Sequence, residues 1–108
     1  MLDKEKQVVD LLENHADWDY EKVGKEERFR AKVYGSVINN SHIITFITTD
    51  LDSSVCKIEL FIDSALCVIR NEFTCNLANL LQNKRLEIEK AKYESTYDDL
   101  IYMLSPKF

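Results

Sequence analysis

RFRAKVYGSVINNSHIITFITT, residues 28–49, decides the fold. Phe29, Ala31, Val33, Gly35 and Val37 alternate with Arg28, Arg30, Lys32, Tyr34 and Ser36. A period of two is what a strand shows when one of its faces is buried. Asn39-Asn40 fits a two-residue hairpin turn, because Asn tolerates the positive φ that such turns require. His42 to Thr49, carrying Ile43, Ile44, Phe46 and Ile47, reads as the second strand.

Downstream, Asp50-Leu51-Asp52-Ser53-Ser54 is a polar loop and Val55 to Ile62 a third strand. Asp63-Ser64 is a second tight turn, and Ala65 to Phe73 a fourth strand. The period then changes. Thr74 or Asn76 can cap a helix bearing Leu77, Leu80 and Leu81. Residues 82–94 fit either an extension of that helix or, through Leu86 and Ile88, a short strand. Ser95-Thr96, with Asp98 and Asp99 close behind, has nearly the spacing of a capping box and marks a second helix start. Leu100, Ile101, Met103 and Leu104 make its apolar stripe, and Pro106 ends it.

Upstream, residues 4–14 gather Val8, Val9, Leu11 and Leu12 on one side of a helix with Asp3 as N-cap. Residues 14–27 read as an irregular connection with room for a short first strand. The expected fold is α+β: a four-stranded antiparallel β-meander flanked by an N-terminal helix and one or two C-terminal helices. All 108 residues form one domain, since a chain of this length leaves no room for a second core.

Turn length sets register, and register sets which side chains share a face. A two-residue loop at Asn39-Asn40 pairs Val33 with Phe46; one at Asp63-Ser64 pairs Leu60 with Cys67. Ala31, Val33, Val37, Ile44, Phe46, Cys56, Ile58, Leu60, Cys67, Ile69 and Phe73 then point into the core. Tyr34, Ile43, Ile47, Phe61, Leu66 and Val68 point the other way, among Arg28, Arg30, Lys32, Lys57 and Glu59. Such an outer face presents a few hundred Å² of apolar surface, near the largest patch a monomer usually leaves wet. It is covered either by a terminal helix on each side of the sheet, or by a partner, with Trp18 and Tyr20 at the rim.

Composition bounds the function. Nineteen acidic side chains against fourteen basic ones give a net charge of −5, where a general polyanion binder presents a basic surplus. Two glycines and one proline exclude low-complexity and collagen-like chains. The apolar runs are much shorter than the roughly 20 residues of a membrane-crossing helix, and charged Met1-Leu2-Asp3-Lys4-Glu5-Lys6 predicts no secretory signal. A cytoplasmic setting with reduced thiols follows. Cys56, Cys67 and Cys75 are widely spaced; Cys56 and Cys67 share a face about 13 Å apart, too far for a disulfide.

No pattern nominates a catalytic centre. Gly24 and Gly35 stand alone, with no phosphate-binding loop around them. His15 sits at a helix end and His42 at a strand end. Asp50/Asp52, in a loop lacking the glycine and the closing Glu of a calcium-binding loop, read as solvated turn residues. Arg28, Arg30, Lys32 and Tyr34 have the residue types of a nucleic-acid-binding sheet, but Glu26 and Glu27 offset their charge. The sequence therefore predicts no cofactor, no metal, no membrane and no nucleic-acid ligand. It predicts a non-catalytic protein-binding module of the inhibitor, immunity or adaptor kind, docking through Tyr34, Ile43, Ile47, Phe61, Leu66 and Val68. An acidic rim suits a partner with a basic groove, such as a nucleic-acid enzyme. The alternatives are a homodimeric structural or ligand-binding protein and a small nucleic-acid binder.

Overall fold

Phe29, Ala31, Phe46, Leu12, Leu77 and Leu81 are wholly buried, and they come from every layer of the protein. The computed structural model describes residues 3–34, 41–53 and 55–106, with backbone alone at Ser41 and Ser95. In chain order these form α1 (Asp3–Asn14), β1 (Ala16–Val23), β2 (Glu26–Tyr34), β3 (Ser41–Thr49), β4 (Lys57–Ile62), β5 (Ala65–Cys67) and α2 (Asn71–Leu104). The strands make one open antiparallel sheet in the order β1-β2-β3-β4-β5, an α+β meander.

The sheet has five strands where the sequence predicted four. The extra one is β1, in the stretch read as an irregular connection. Its turn is Gly24-Lys25, set between the paired residues Val23 and Glu26. Gly24 has φ +61°, with open space where a Cβ would stand. A two-residue hairpin of this kind needs positive φ at its first central position, which glycine adopts without strain.

Asn39-Asn40 lies outside the described residues, but the pairing of its flanks corrects the expected register. Val33 faces His42 and Phe29 faces Phe46, where a two-residue turn at Asn39-Asn40 would have set Val33 against Phe46. The register is thereby shifted by four residues, from Val33↔Phe46 to Val33↔His42. Four is even, and side chains alternate with period two, so every residue keeps its face. The second hairpin pairs as expected, Leu60 with Cys67 and Ile62 with Ala65. Asp63 and Ser64 at its turn take φ of 50° and 69°. Asp63 is tied to β3: its Oδ1 accepts from the Ile43 amide at 3.1 Å, and its own N–H donates to the Ile43 carbonyl at 2.9 Å.

β5 stops at Cys67, so Ile69 and Phe73 do not belong to a fourth long strand. Phe73 enters the core from α2, which begins at Asn71 rather than at a Thr74 or Asn76 cap. Thr74 instead turns its hydroxyl back onto the Arg70 carbonyl at 3.0 Å. Nor does a second helix start at Ser95-Thr96. Thr96 Oγ1 donates to the Lys92 carbonyl at 2.9 Å within one unbroken helix of 34 residues. No Gly or Pro interrupts residues 71–104, and Leu86-Glu87-Ile88-Glu89-Lys90-Ala91-Lys92 is rich in strong helix formers. Asp98 and Asp99 are therefore exposed mid-helix side chains, with no helix N-terminus to cap.

Both helices pack on one side of the sheet. Leu12 of α1 and Phe73, Leu77, Leu80 and Leu81 of α2 join Phe29, Ala31, Val33, Ile44, Phe46, Ile58 and Leu60 in a single buried cluster. Trp18 and Tyr20, expected at the rim of the outer face, lie on this inner side. The Trp18 indole N–H donates to the Leu12 carbonyl at 2.8 Å, and the ring stacks on Phe46 at 6.0 Å. Their inward direction follows from pairing: Trp18 stands opposite Ala31 and Tyr20 opposite Phe29, both wholly buried. Two further ties fix the helices. Lys84 Nζ donates to the Glu13 carbonyl at 3.1 Å, satisfying the C-terminal end of α1. Arg70 grips Glu5 with two hydrogen bonds of 2.8 and 2.6 Å.

Candidate functional site

With both helices on the inner side, no described element covers the outer face of the sheet. Cross-strand pairing makes it a set of rows. Asp17, Asp19 and Glu21 of β1 stand opposite Lys32, Arg30 and Arg28 of β2. Those three basic residues stand in turn opposite Ile43, Thr45 and Ile47 of β3. Thr45 pairs with Phe61, Ile47 with Glu59, and Phe61 with Leu66 of β5. Ile43 and Ile47 thus flank Phe61 diagonally, within reach of a long or aromatic side chain. The charged rows of the face are on β1–β2, and β3–β5 carry the apolar group, with Glu59 and its ion-pair partner Lys57 beside Ile47.

The six positions singled out in the sequence divide within this layout. Ile43, Ile47, Phe61 and Leu66 form one apolar group, with Ile47 and Phe61 half-buried between their neighbours and Leu66 66% exposed. Tyr34 sits at the β2 end, 60% exposed, with Lys32 Nζ 5.4 Å above its ring. Val68 follows the last strand residue and is 99% exposed, outside the paired sheet. The expected acidic rim is confined to the β1 edge.

Both arginines of the basic row of β2 are already paired, while Lys32 lies over the Tyr34 ring. Arg30 lies 3.9 Å from Asp19 and 3.8 Å from Glu21, while Arg28 bonds Glu26 at 3.1 Å. A phosphate backbone would have to displace these carboxylates, and the cost of doing so opposes the release of counterions that drives such binding.

Sequence reasoning missed a polar cluster under the inner face. Arg85 of α2 donates to both oxygens of Glu27 at 3.0 and 3.1 Å, and to Asp52 of the β3–β4 loop at 2.6 Å. Tyr20 donates its hydroxyl to Glu27 at 3.0 Å. Glu27 is buried, so its charge depends on these donors. Burial, with the Glu27 carboxylate as acceptor, pushes the Tyr20 phenol up to about 12. Asp52 is thus a partner in an ion-pair network, not a merely solvated turn residue. The Glu26-Glu27 doublet followed by an inward alternation at Phe29 was the available signal, since it places one Glu on each face.

The other titratable groups are dispersed. His42 Nδ1 lies 2.8 Å from Asp63 Oδ2, and hydrogen bonds from His42 and the Ile43 amide hold the Asp63 carboxyl below its usual range. His15 is exposed just beyond α1. The three cysteines are free: Cys56 contacts the Thr48 hydroxyl at 2.6 Å, Cys67 lies on the inner side of β5, and Cys75 is exposed. Among the described residues no group of three or more His, Cys, Asp and Glu side chains is placed to hold a metal ion, and no helix is long and apolar enough to cross a membrane. Comparison with protein families, curated proteins and solved structures gives no match to this chain.

Proposed function

We propose that the chain is a one-domain, non-catalytic protein-binding module of the inhibitor or adaptor kind, acting in the cytoplasm. One observation carries the reading: both helices pack on the same face of the sheet, which leaves Ile43, Ile47, Phe61 and Leu66 without cover among the described residues. Tyr34 and Val68 extend this surface at its two ends. The partner is a protein with an apolar centre and basic residues where it meets Asp17, Asp19 and Glu21, whose acids steer the encounter. Burying a patch of a few hundred Å² at ~25 cal/mol per Å² supplies several kcal/mol before the costs of association.

An Ile47→Asp, Phe61→Asp variant tests this. Immobilised wild-type protein and the variant are compared for what each retains, and both are melted by circular dichroism. A partner held by the wild type and lost by an equally folded variant supports the reading. A partner held equally by both overturns it, and so does a variant that unfolds, because those positions are then core.

A further inference from the structure

Helix α2 carries two apolar stripes that face opposite ways. Phe73, Leu77, Leu80 and Leu81 form the stripe that docks on the sheet. At roughly 100° per residue, Leu86, Tyr93, Tyr97, Leu100 and Leu104 are centred about 180° away from it. Leu86 is 53% exposed, Tyr93 80% and Leu104 81%. The helix is about 50 Å long at ~1.5 Å per residue, against about 30 Å for a nine-residue strand, so its C-terminal end, roughly the last 13 residues, overhangs the sheet. The protein's own sheet cannot reach the second stripe.

We propose that the C-terminal segment 86–104 pairs with the same segment of a second copy of this chain, as an antiparallel two-helix coil. Three observations choose this occupant. With Lys90 included, the stripe reads 86, 90, 93, 97, 100, 104, alternating steps of four and three, which is the seam of a left-handed coiled coil. Aligning Leu86 with the partner's Leu104 sets Lys90 against the partner's Leu100 and Tyr93 against the partner's Tyr97, so every seam position meets another. The seam also stops where it should, because Asn79 and Asn83 continue the same side towards the N-terminus.

Charge sets the direction. A parallel pair would bring Lys90 against its own copy in the seam and Glu89 against the partner's Glu94 beside it. The antiparallel pair leaves a single like-charge meeting, Glu94 with its copy, and each Glu94 is already bonded to Lys90 at 3.6 Å. Size is sufficient as well. Two tyrosines and three leucines, largely exposed, with Ile101 at 50%, amount to several hundred Å² per chain. That approaches the roughly 800 Å² per partner of a standard stable interface. The two sheets then sit at opposite ends of the coil with their outer faces free, so the dimer is compatible with the sheet-face reading but independent of it.

Light scattering of the full chain across a dilution series is the test. The expected mass is twice 12.6 kDa at micromolar concentration. A Tyr97→Glu, Leu100→Glu variant is expected to run as a monomer, its dissociation constant raised at least about 100-fold by charges placed in the seam. A milder Tyr97→Ser, Leu100→Ser pair gives the same separation should the charged variant fail to fold. A Thr96→Cys variant, whose thiols meet near the two-fold axis only in the antiparallel pair, forms a disulfide-linked dimer on mild oxidation. A wild type that stays monomeric, a dimer that survives both seam variants, or a dimer in which position 96 does not cross-link overturns the proposal.

Discussion

Replacing Arg85 by Met leaves the space filled and removes the charge that Glu27 was folded around. In the native protein the guanidinium supplies hydrogen bonds of 3.0 and 3.1 Å to the two carboxylate oxygens and one of 2.6 Å to Asp52. Glu27 is only 4% exposed. After the substitution its one remaining side-chain donor among the described residues is Tyr20, at 3.0 Å. Breaking one side of a buried pair costs about 3–5 kcal/mol, because the surviving charge is left uncompensated. Against a total stability of about 5–15 kcal/mol for a small domain, that is a large share. Urea unfolding at neutral pH should register the loss as a lower midpoint with an unchanged slope. The double variant Glu27→Gln, Arg85→Met recovers most of the lost stability, because apolar or neutral replacement of both partners is often tolerated. An Arg85→Met variant within about 0.5 kcal/mol of wild type, the range of an ordinary surface substitution, would refute the reasoning.

Three further outcomes follow from the same geometry. Tyr20 has its phenol raised to about 12, so between its unfolded value near 10 and that point the folded state holds a proton that the unfolded state has released. Stability therefore falls as pH rises through this window, by about 1–3 kcal/mol; a Tyr20→Phe variant with an unchanged alkaline limb contradicts the assignment. The Asp63 carboxyl is held low by His42, so the stability this pair contributes is present above the usual carboxylate range and lost as pH falls. An Asp63→Asn variant should flatten the acid limb of a pH-melt profile, and an identical limb argues against the pair. Trp18→Phe leaves the Leu12 carbonyl without its 2.8 Å donor and is expected to cost about 1–3 kcal/mol in chemical unfolding; no measurable cost would place Trp18 outside the core.

What the sequence made legible was governed by parity. The pairing of β2 with β3 is displaced by four residues from the one a tight turn at Asn39-Asn40 implies, yet that displacement left Val33, Ile44 and Phe46 inside and Ile43 and Ile47 outside. A displacement of three would have inverted both lists. Strand β1 was obscured by its own outer row, because Asp17, Asp19 and Glu21 are poor strand residues taken singly. In the sheet each stands opposite Lys32, Arg30 or Arg28, and that cross-strand compensation is not visible within a local window. The buried Arg85–Glu27 pair joins residues 58 positions apart, and no periodicity reports such a link. The two-faced character of α2 was hidden for another reason. A stripe that changes sides midway looks like two helices when each half is read separately, and Ser95-Thr96 supplied a false start.

The central claim is that this sheet is core on one face and open on the other. Cysteine substitutions placed one residue apart on the same strands test it directly: Ile43→Cys and Phe61→Cys on the outer face, Ile44→Cys and Leu60→Cys on the inner. The reaction of each new thiol with a small alkylating reagent is timed in the folded protein, and the native thiols serve as the baseline. Labelling of the outer pair at rates near those of the unfolded chain, with the inner pair slowed by orders of magnitude, is the predicted result. Equal protection of both pairs would mean that another part of the chain covers the outer face, and would contradict the account.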